Sequence, residues 1–294
     1  MAIYVSTGAF RSRDLAEIVE LVLANGITHL ELSSGTAHEP KLEECIDRLR
    51  ANGVTLAVHN YFPAPAEPFV LNLGALDPSV RERSKQHVRE CIDLCARLRL
   101  PYYSLHAAYG LPVRAQDLGN PQAQAALAER NALPARAEVY EAFVDALREM
   151  AAYGATRGVD LLIENNALSV PYMEARKADP FLLTTAEESE RFIADMASPH
   201  VGLLMDVAHA RVSSAALGLD AEDFLRRTLP LARCAHLSDN DGREDQNLPF
   251  TERSWFWPLL KPHAHRLDFV IEVYNLAPET IRQQLALART MLHS

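Results

Sequence analysis

Residues 161–165 and 202–206 read LLIEN and GLLMD, two short apolar runs that each close on an acid, Glu164 and Asp206. A run of this length, rich in Leu and Ile and stopped by turn residues, has the form of a strand buried on both faces, as in a parallel sheet. Four further stretches share the pattern: LAVHN (56–60, with His59), YSLHA (103–107, with His106), CAHLSD (234–239, with His236) and FVIEV (269–273, with Glu272). Six imidazole or carboxylate groups would then leave the same end of one sheet. Active sites of α/β proteins are built at that carboxyl end, so the pattern predicts a metal centre in a catalytic cup.

Outward from these runs, strands are predicted at 3–6, 27–32, 55–59, 102–106, 160–164, 201–206, 233–237 and 268–273, and helices at 14–24, 41–51, 79–98, 137–156, 186–197, 221–229 and 278–292. Asn25-Gly26 and Asn52-Gly53 close two of the helices just before a strand, as left-handed C-terminal caps do. Thr185 followed by Glu188 has the form of a capping box. Strands and helices alternate throughout, which favours a parallel sheet with helical crossovers. Eight strands point to an α/β chain folded as one (β/α)8 TIM barrel over residues 1–294, and no linker marks a second domain. Neither GxGxxG nor GxxxxGK[ST] occurs, which removes the main support for a dinucleotide or P-loop fold. The connections 61–78 and 109–134 are long, and such loops commonly serve as lids or binding loops.

The 294 residues are enough for a single barrel, which takes about 250. A net charge of -10 argues against a main task of gripping a phosphate backbone. Cys45, Cys91, Cys95 and Cys234 make no CxxC pair and read as reduced, buried small hydrophobes. The opening MAIYVSTGAF has neither the basic region nor the apolar stretch of a signal peptide, and no run of about 20 apolar residues suggests a membrane span. The expectation is a cytoplasmic protein with no membrane partner.

Glu164, Asp206, His236 and Glu272 would close strands five to eight. Three carboxylates and one imidazole make an oxygen-rich site suited to Mn, Mg, Co or Zn. Acids at the ends of buried strands are costly unless paired or metal-bound. His209, three residues beyond Asp206, faces the same side if the strand turns into a helix, where it would ligate a metal, bind substrate or act as a cap. His59 and His106 are further substrate-binding candidates, as is Arg243 in the polar run SDNDGRED (238–245). For Arg243 a solvated loop position is an equal alternative. Trp255 and Trp257 read as packing rather than a sugar platform, and Arg114, Arg130 and Arg136 as solvated.

The ordered set HN (59–60), LLIEN, LLMDVAH (203–209), AHLSDNDGR (235–243) and VIEV (270–273) resembles the xylose-isomerase-like TIM-barrel superfamily, in particular its sugar and sugar-phosphate isomerase/epimerase branch, with endonuclease IV as a relative. The resemblance spans nearly the whole chain. It implies one divalent metal, manganese before Mg, Co or Zn, held by Glu164, Asp206, His236 and Glu272. It further implies a carbohydrate-metabolism isomerase or epimerase that moves protons through a metal-bound enediolate, with Glu164 and Glu272 as the acid/base pair. His59, His106, His209 and Arg243 would contact a small sugar or keto-sugar, and a homo-oligomer is compatible with the long loops. Endonuclease-like relatives carry an Asp-x-His after the seventh strand, where this chain reads Asp245-Gln246-Asn247. The stretch ENNALSV (164–170) also lacks the Arg-Tyr-Glu element of ketohexose 3-epimerases, so the substrate stays open. The alternatives are a metal-dependent phosphoester hydrolase, with His59 and His106 completing a second metal, a lyase or dehydratase using the same enolate chemistry, and a sugar-binding barrel without turnover. Nucleic acid is not an expected partner.

Overall fold

The structure, a computed structural model, describes residues 1–111, 113, 114, 117 and 120–293. Eight strands, β1 (Ile3–Ser6), β2 (His29–Leu32), β3 (Thr55–Val58), β4 (Tyr102–His106), β5 (Asp160–Glu164), β6 (Val201–Asp206), β7 (Ala232–Leu237) and β8 (Asp268–Ile271), form one sheet in the order β3-β2-β1-β8-β7-β6-β5-β4. Every paired neighbour is parallel. The seam between β3 and β4 has no full ladder and is tied at one level instead. His59 bridges Ser104, the Asn60 amide donates to the Ser104 carbonyl at 2.8 Å, and the Tyr103 hydroxyl donates to the Asn60 carbonyl at 2.6 Å. The result is a nearly closed eight-stranded barrel, as the strand count predicts.

The seven expected helices form at nearly the expected bounds: α1 (Leu15–Ala24), α2 (Leu42–Ala51), α3 (Pro78–Leu98), α5 (Arg136–Ala155), α7 (Ala186–Met196), α9 (Ala221–Thr228) and α11 (Pro278–His293). Gly26 and Gly53 take positive φ values of 62° and 76° after α1 and α2, the conformation in which a side chain is strained. Thr185 accepts from the Glu188 amide at 3.2 Å, but the capping box is only half made. The Glu188 carboxylate bonds the Leu183 amide and Arg136 instead.

Four more helices lie in stretches without an evident apolar stripe: α4 (Pro121–Arg130), α6 (Val170–Arg176), α8 (Val207–Leu217) and α10 (Trp257–Leu260). The connection 109–134 is therefore partly helical rather than a plain loop. Pro112, Ala115, Gln116, Leu118 and Gly119 of that connection lie outside the described residues. It and the connection 61–78 flank a cavity of about 720 Å³ whose lining includes Phe69, Val70, Tyr109, Leu111 and Val139, but none of the strand-end acids or histidines. All four cysteines are free and buried, and no described helix is long and apolar enough to cross a membrane.

Side chains alternate along each strand, so half of them face the helices and half the barrel interior. The outward set joins the main core beneath the helices, whereas Tyr4, Ala57, Leu162, Leu204, Cys234 and Val270 make a separate apolar cluster inside the barrel with Tyr102 packed on it. That inner cluster is the floor on which the site stands.

Candidate metal centre

Two residues beyond each member of the floor comes a polar side chain: Ser6 after Tyr4, His59 after Ala57, Ser104 after Tyr102, Glu164 after Leu162, Asp206 after Leu204, His236 after Cys234 and Glu272 after Val270. On β2, Glu31 lies in register with Ser6 and Ala57 and completes the set. All eight are buried. One inward position at the carboxyl end of every strand is thus polar, in a chamber with an apolar floor.

Glu164, Asp206, His236 and Glu272 each offer a ligand atom within 4.8 Å of the others. The His236 Nδ1 lies 2.8 Å from Glu272 Oε2 and 3.6 Å from Glu164 Oε1. Around Glu164, Oε1 is 3.4 Å from His209 Nδ1, while Oε2 is 3.2 Å from His59 Nε2 and 3.6 Å from His106 Nδ1. Neither Glu164 oxygen accepts a hydrogen bond, and the same holds for Asp206 Oδ2 and Glu31 Oε1. Buried acceptors are nearly always paired, so the orphaned oxygens of Glu164 and Asp206, set among the carboxylate of Glu272 and the imidazole of His236, fit a divalent cation. The donor set, carboxylates with one or two imidazoles, suits a hard or borderline metal.

Local structure explains how Asp206 and His209 are aimed. β6 runs straight into α8, and Asp206 is its N-cap, with Oδ1 accepting from the His209 amide at 2.7 Å. The other oxygen is left for the chamber. Asn165 grips the same residue: its Oδ1 accepts from the Asp206 amide at 2.8 Å and its Nδ2 donates to the Asp206 carbonyl at 3.1 Å. The Asn165 carbonyl lies 2.7 Å from His209 Nδ1, and His209 Nε2 lies 3.1 Å from Asp245 Oδ2. Replacing Asn165 by Ala removes both side-chain bonds while sparing the carbonyl. We expect a loss of about 1–3 kcal/mol of stability in denaturant unfolding, with weaker cation uptake; unchanged stability would mean that Asp206 is held without the amide.

Electrostatics follow the same geometry. Burial pushes the Asp206 carboxyl up to about 7; His209 opposes the rise, and Glu164, Glu272 and Asp245 add to it. Burial alone would also raise Glu164, but His106, His236 and His59 pull it well below the usual carboxylate range. Burial opposes charge on His236 and His209, yet the surrounding acids hold both imidazoles well above their ordinary value. His59 goes the other way, with burial pushing it down to about 3.

The structure therefore brings together Glu164, Asp206, His236, Glu272, His59, His106 and His209. His59 sits deep, with Nδ1 3.0 Å from Ser104 Oγ, whereas the His106 side chain keeps about a third of its surface exposed. Arg243 is not drawn into the cluster: its exposed guanidinium lies 3.5 Å from Glu174. Asn247 is buried, and its Nδ2 donates to the Glu272 carbonyl at 3.1 Å. Arg114 pairs with Asp117, and Arg136 with Asp179 and Glu188. Trp257 packs against Phe250 and Phe256. Sequence reading missed Glu31, Ser104 and Asn165. Glu31 was discoverable as an acid in an otherwise apolar strand, HLEL (29–32); Ser104 and Asn165 carry no comparable signal.

Eight parallel strands in a nearly closed barrel with interleaved helices, and a polar chamber at the carboxyl ends of the strands, define a TIM barrel. The chain belongs to the xylose isomerase-like TIM barrel family, whose model matches residues 16–291. Solved structures of similar fold include a D-tagatose 3-epimerase-like protein, with a TM-score of 0.74 and 17% identity over 100% of this chain and 97% of the other. D-psicose 3-epimerase in the presence of D-fructose gives a TM-score of 0.70 and 16% identity over 100% of both chains. The apo form of 3-keto-D-glucoside 4-epimerase YcjR from E. coli gives 0.68 and 15% over 99% of both. No curated protein matches the chain.

Proposed function

We propose that the protein is a divalent-metal-dependent sugar epimerase or isomerase, with the cation held by Glu164, Asp206, His236 and Glu272. The observation that carries this reading is the convergence of those four side chains within 4.8 Å, with unpartnered oxygens on Glu164 and Asp206. The names of the structural neighbours, epimerases of keto-sugars, support the substrate class. A bound cation supplies Lewis-acid polarisation of a carbonyl and its neighbouring hydroxyl, with manganese first among Mn, Mg, Co and Zn.

Acid/base work by a ligand requires that each glutamate keep one oxygen for the substrate. Glu164 has its Oε1 toward His209 and His236 and its Oε2 toward His59 and His106. Glu272 has its Oε2 on His236, while its Oε1 is 3.4 Å from the hydroxyl of Tyr274, a half-exposed residue. Each carboxylate thus has two differently placed oxygens. One glutamate would take the proton from the carbon beside the carbonyl and the other would return it, each within about 3 Å of the proton it moves. Return to the opposite face gives an epimer, and return to the adjacent carbon gives the aldose–ketose pair. His106 and His209 are the candidates for holding substrate hydroxyls, with His59 behind Glu164.

The test is solvent exchange. In deuterated water, the cation-loaded protein should place deuterium on the carbon next to the carbonyl of a ketohexose or a keto-glycoside. Cleavage of phosphoesters without such exchange would transfer the site to the hydrolase reading, which is favoured by two further clusters of ligand atoms within 4.8 Å, one of His59, His106 and Glu164 and one of Glu31, His59 and His236. Asn247 in place of an imidazole and the net charge of -10 weigh against it.

A further inference from the structure

We propose that Glu31 is a positioning residue for the metal centre: it fixes the ring orientation and the tautomer of His236 by accepting the Nε2 proton, so that Nδ1 is the nitrogen turned to the cation. The inference rests on the metal reading above and goes further, since it assigns a role to a strand outside the four-ligand set.

The geometry is one of two faces. His236 is fully buried, with Nδ1 toward Glu272 and Glu164 and Nε2 toward Glu31 Oε2 at 3.1 Å. A neutral imidazole carries one proton, and the nitrogen that binds a metal must be the bare one. If Nδ1 ligates, Nε2 keeps the hydrogen, and a buried N–H needs an acceptor. Glu31 is the carboxylate that meets it, from the inward position of β2, and is only 1% exposed. Its neighbour on β1 is committed elsewhere, since Ser6 Oγ bonds Ser33 Oγ at 2.7 Å.

The strand itself gives no structural reason for an acid. Leu30 and Leu32 already join the outer core from β2, and burying an ionised carboxylate is costly without a partner. Glu31 Oε1 makes no hydrogen bond and Oε2 meets His236 Nε2, so neither oxygen is given to a backbone group or a helix cap. A carboxylate behind a ligating imidazole raises ligand basicity and fixes the ring, and loss of such a partner typically weakens metal binding 10–100-fold.

The test compares wild type, Glu31→Gln and Glu31→Leu. Gln keeps an acceptor oxygen without the charge, and Leu keeps the volume without an acceptor. Zinc dissociation constants from competition with a chelator should rise about tenfold for Gln and about 100-fold for Leu, with the metal-free melting temperature near wild type in Gln, which keeps an acceptor, and lowered in Leu, which leaves the buried N–H without one. A merely structural role would not produce this graded order. In zinc-loaded, 15N-histidine-labelled protein, the long-range correlation pattern of His236 should show a protonated Nε2 and a metal-bound Nδ1. Unchanged zinc affinity in Glu31→Leu, or a pattern with Nε2 metal-bound, would overturn the proposal. A second zinc per chain lost in Glu31→Leu would overturn it too, making Glu31 a ligand. If wild type takes up no cation while its metal-free spectrum still shows a slowly exchanging Nε2 proton dependent on Glu31, the metal reading fails and the contact itself survives.

Discussion

Glu164→Gln is expected to lower turnover of a keto-sugar substrate by about a thousandfold, the middle of the range for losing a positioned acid/base group, while the protein remains folded. The fold should survive because neither Glu164 oxygen accepts a hydrogen bond that the substitution would break. What is lost is charge: the carboxylate sits among His59, His106, His209 and His236, and a neutral amide there weakens both the cation site and the base. Glu272→Gln should show a comparable loss of net epimerisation with a distinguishing signature. When two bases serve opposite faces, removing one abolishes proton exchange from one epimer and leaves exchange from the other. Deuterium incorporation starting separately from each epimer reads this directly. Equal loss of exchange from both epimers in both variants would show that the glutamates act only as ligands.

Asp206→Asn is expected to have opposite effects on cation binding and on metal-free stability. Asn is as good an N-cap as Asp, so α8 keeps its first turn, but the anionic oxygen facing the chamber is lost and cation affinity should fall at least tenfold. In the metal-free protein the folded Asp206 has its pKa raised to about 7, above the ordinary carboxylate value. The folded state therefore binds more protons than the unfolded state between these values, and stability falls as pH rises through that window. Above about pH 7 the full penalty of a buried, ionised carboxylate is present. At pH 8 metal-free Asp206→Asn should be more stable than wild type by about 1–3 kcal/mol; at pH 5 the gap should be smaller, closing only as pH falls to the ordinary carboxylate range. Saturating manganese should reverse the order by stabilising wild type through binding. Linked to the same group, cation affinity of wild type should weaken as pH falls below about 7, because ligands must be deprotonated to bind. Denaturant unfolding at the two pH values, with and without manganese, provides the check; a variant less stable than wild type at pH 8 would contradict the electrostatic account of Asp206.

Much of this was legible in the chain because burial on both faces writes parallel strands as short apolar runs. LLIEN and GLLMD announce both the strand and the group that closes it. The amphipathic helices, such as α7 with Phe192 and Met196 buried and Glu187 and Asp195 on its outer side, were equally plain. Helix α8 was not, because Val207–Leu217 is buried on most of its faces and shows little separation of polar from apolar positions. Counting back two from Glu164, Asp206, His236 and Glu272 gives Leu162, Leu204, Cys234 and Val270, the barrel floor. The same count forward from His29 lands on Glu31. What sequence could not supply is the network through Asn165 and Ser104, whose roles depend on backbone atoms of other strands. For Arg243, where sequence leaves substrate contact and a solvated loop position equally open, the guanidinium is exposed and lies 3.5 Å from Glu174.

Because the proposed chemistry needs a cation, metal content per chain is the deciding measurement, made by elemental analysis on protein purified without added metal and again after loading, with Glu164→Gln and Glu272→Gln alongside. The expected result is about one Mn, Mg, Co or Zn per chain, lowered in both variants. Two or three zinc ions per chain, or no bound cation under any loading condition, would contradict it.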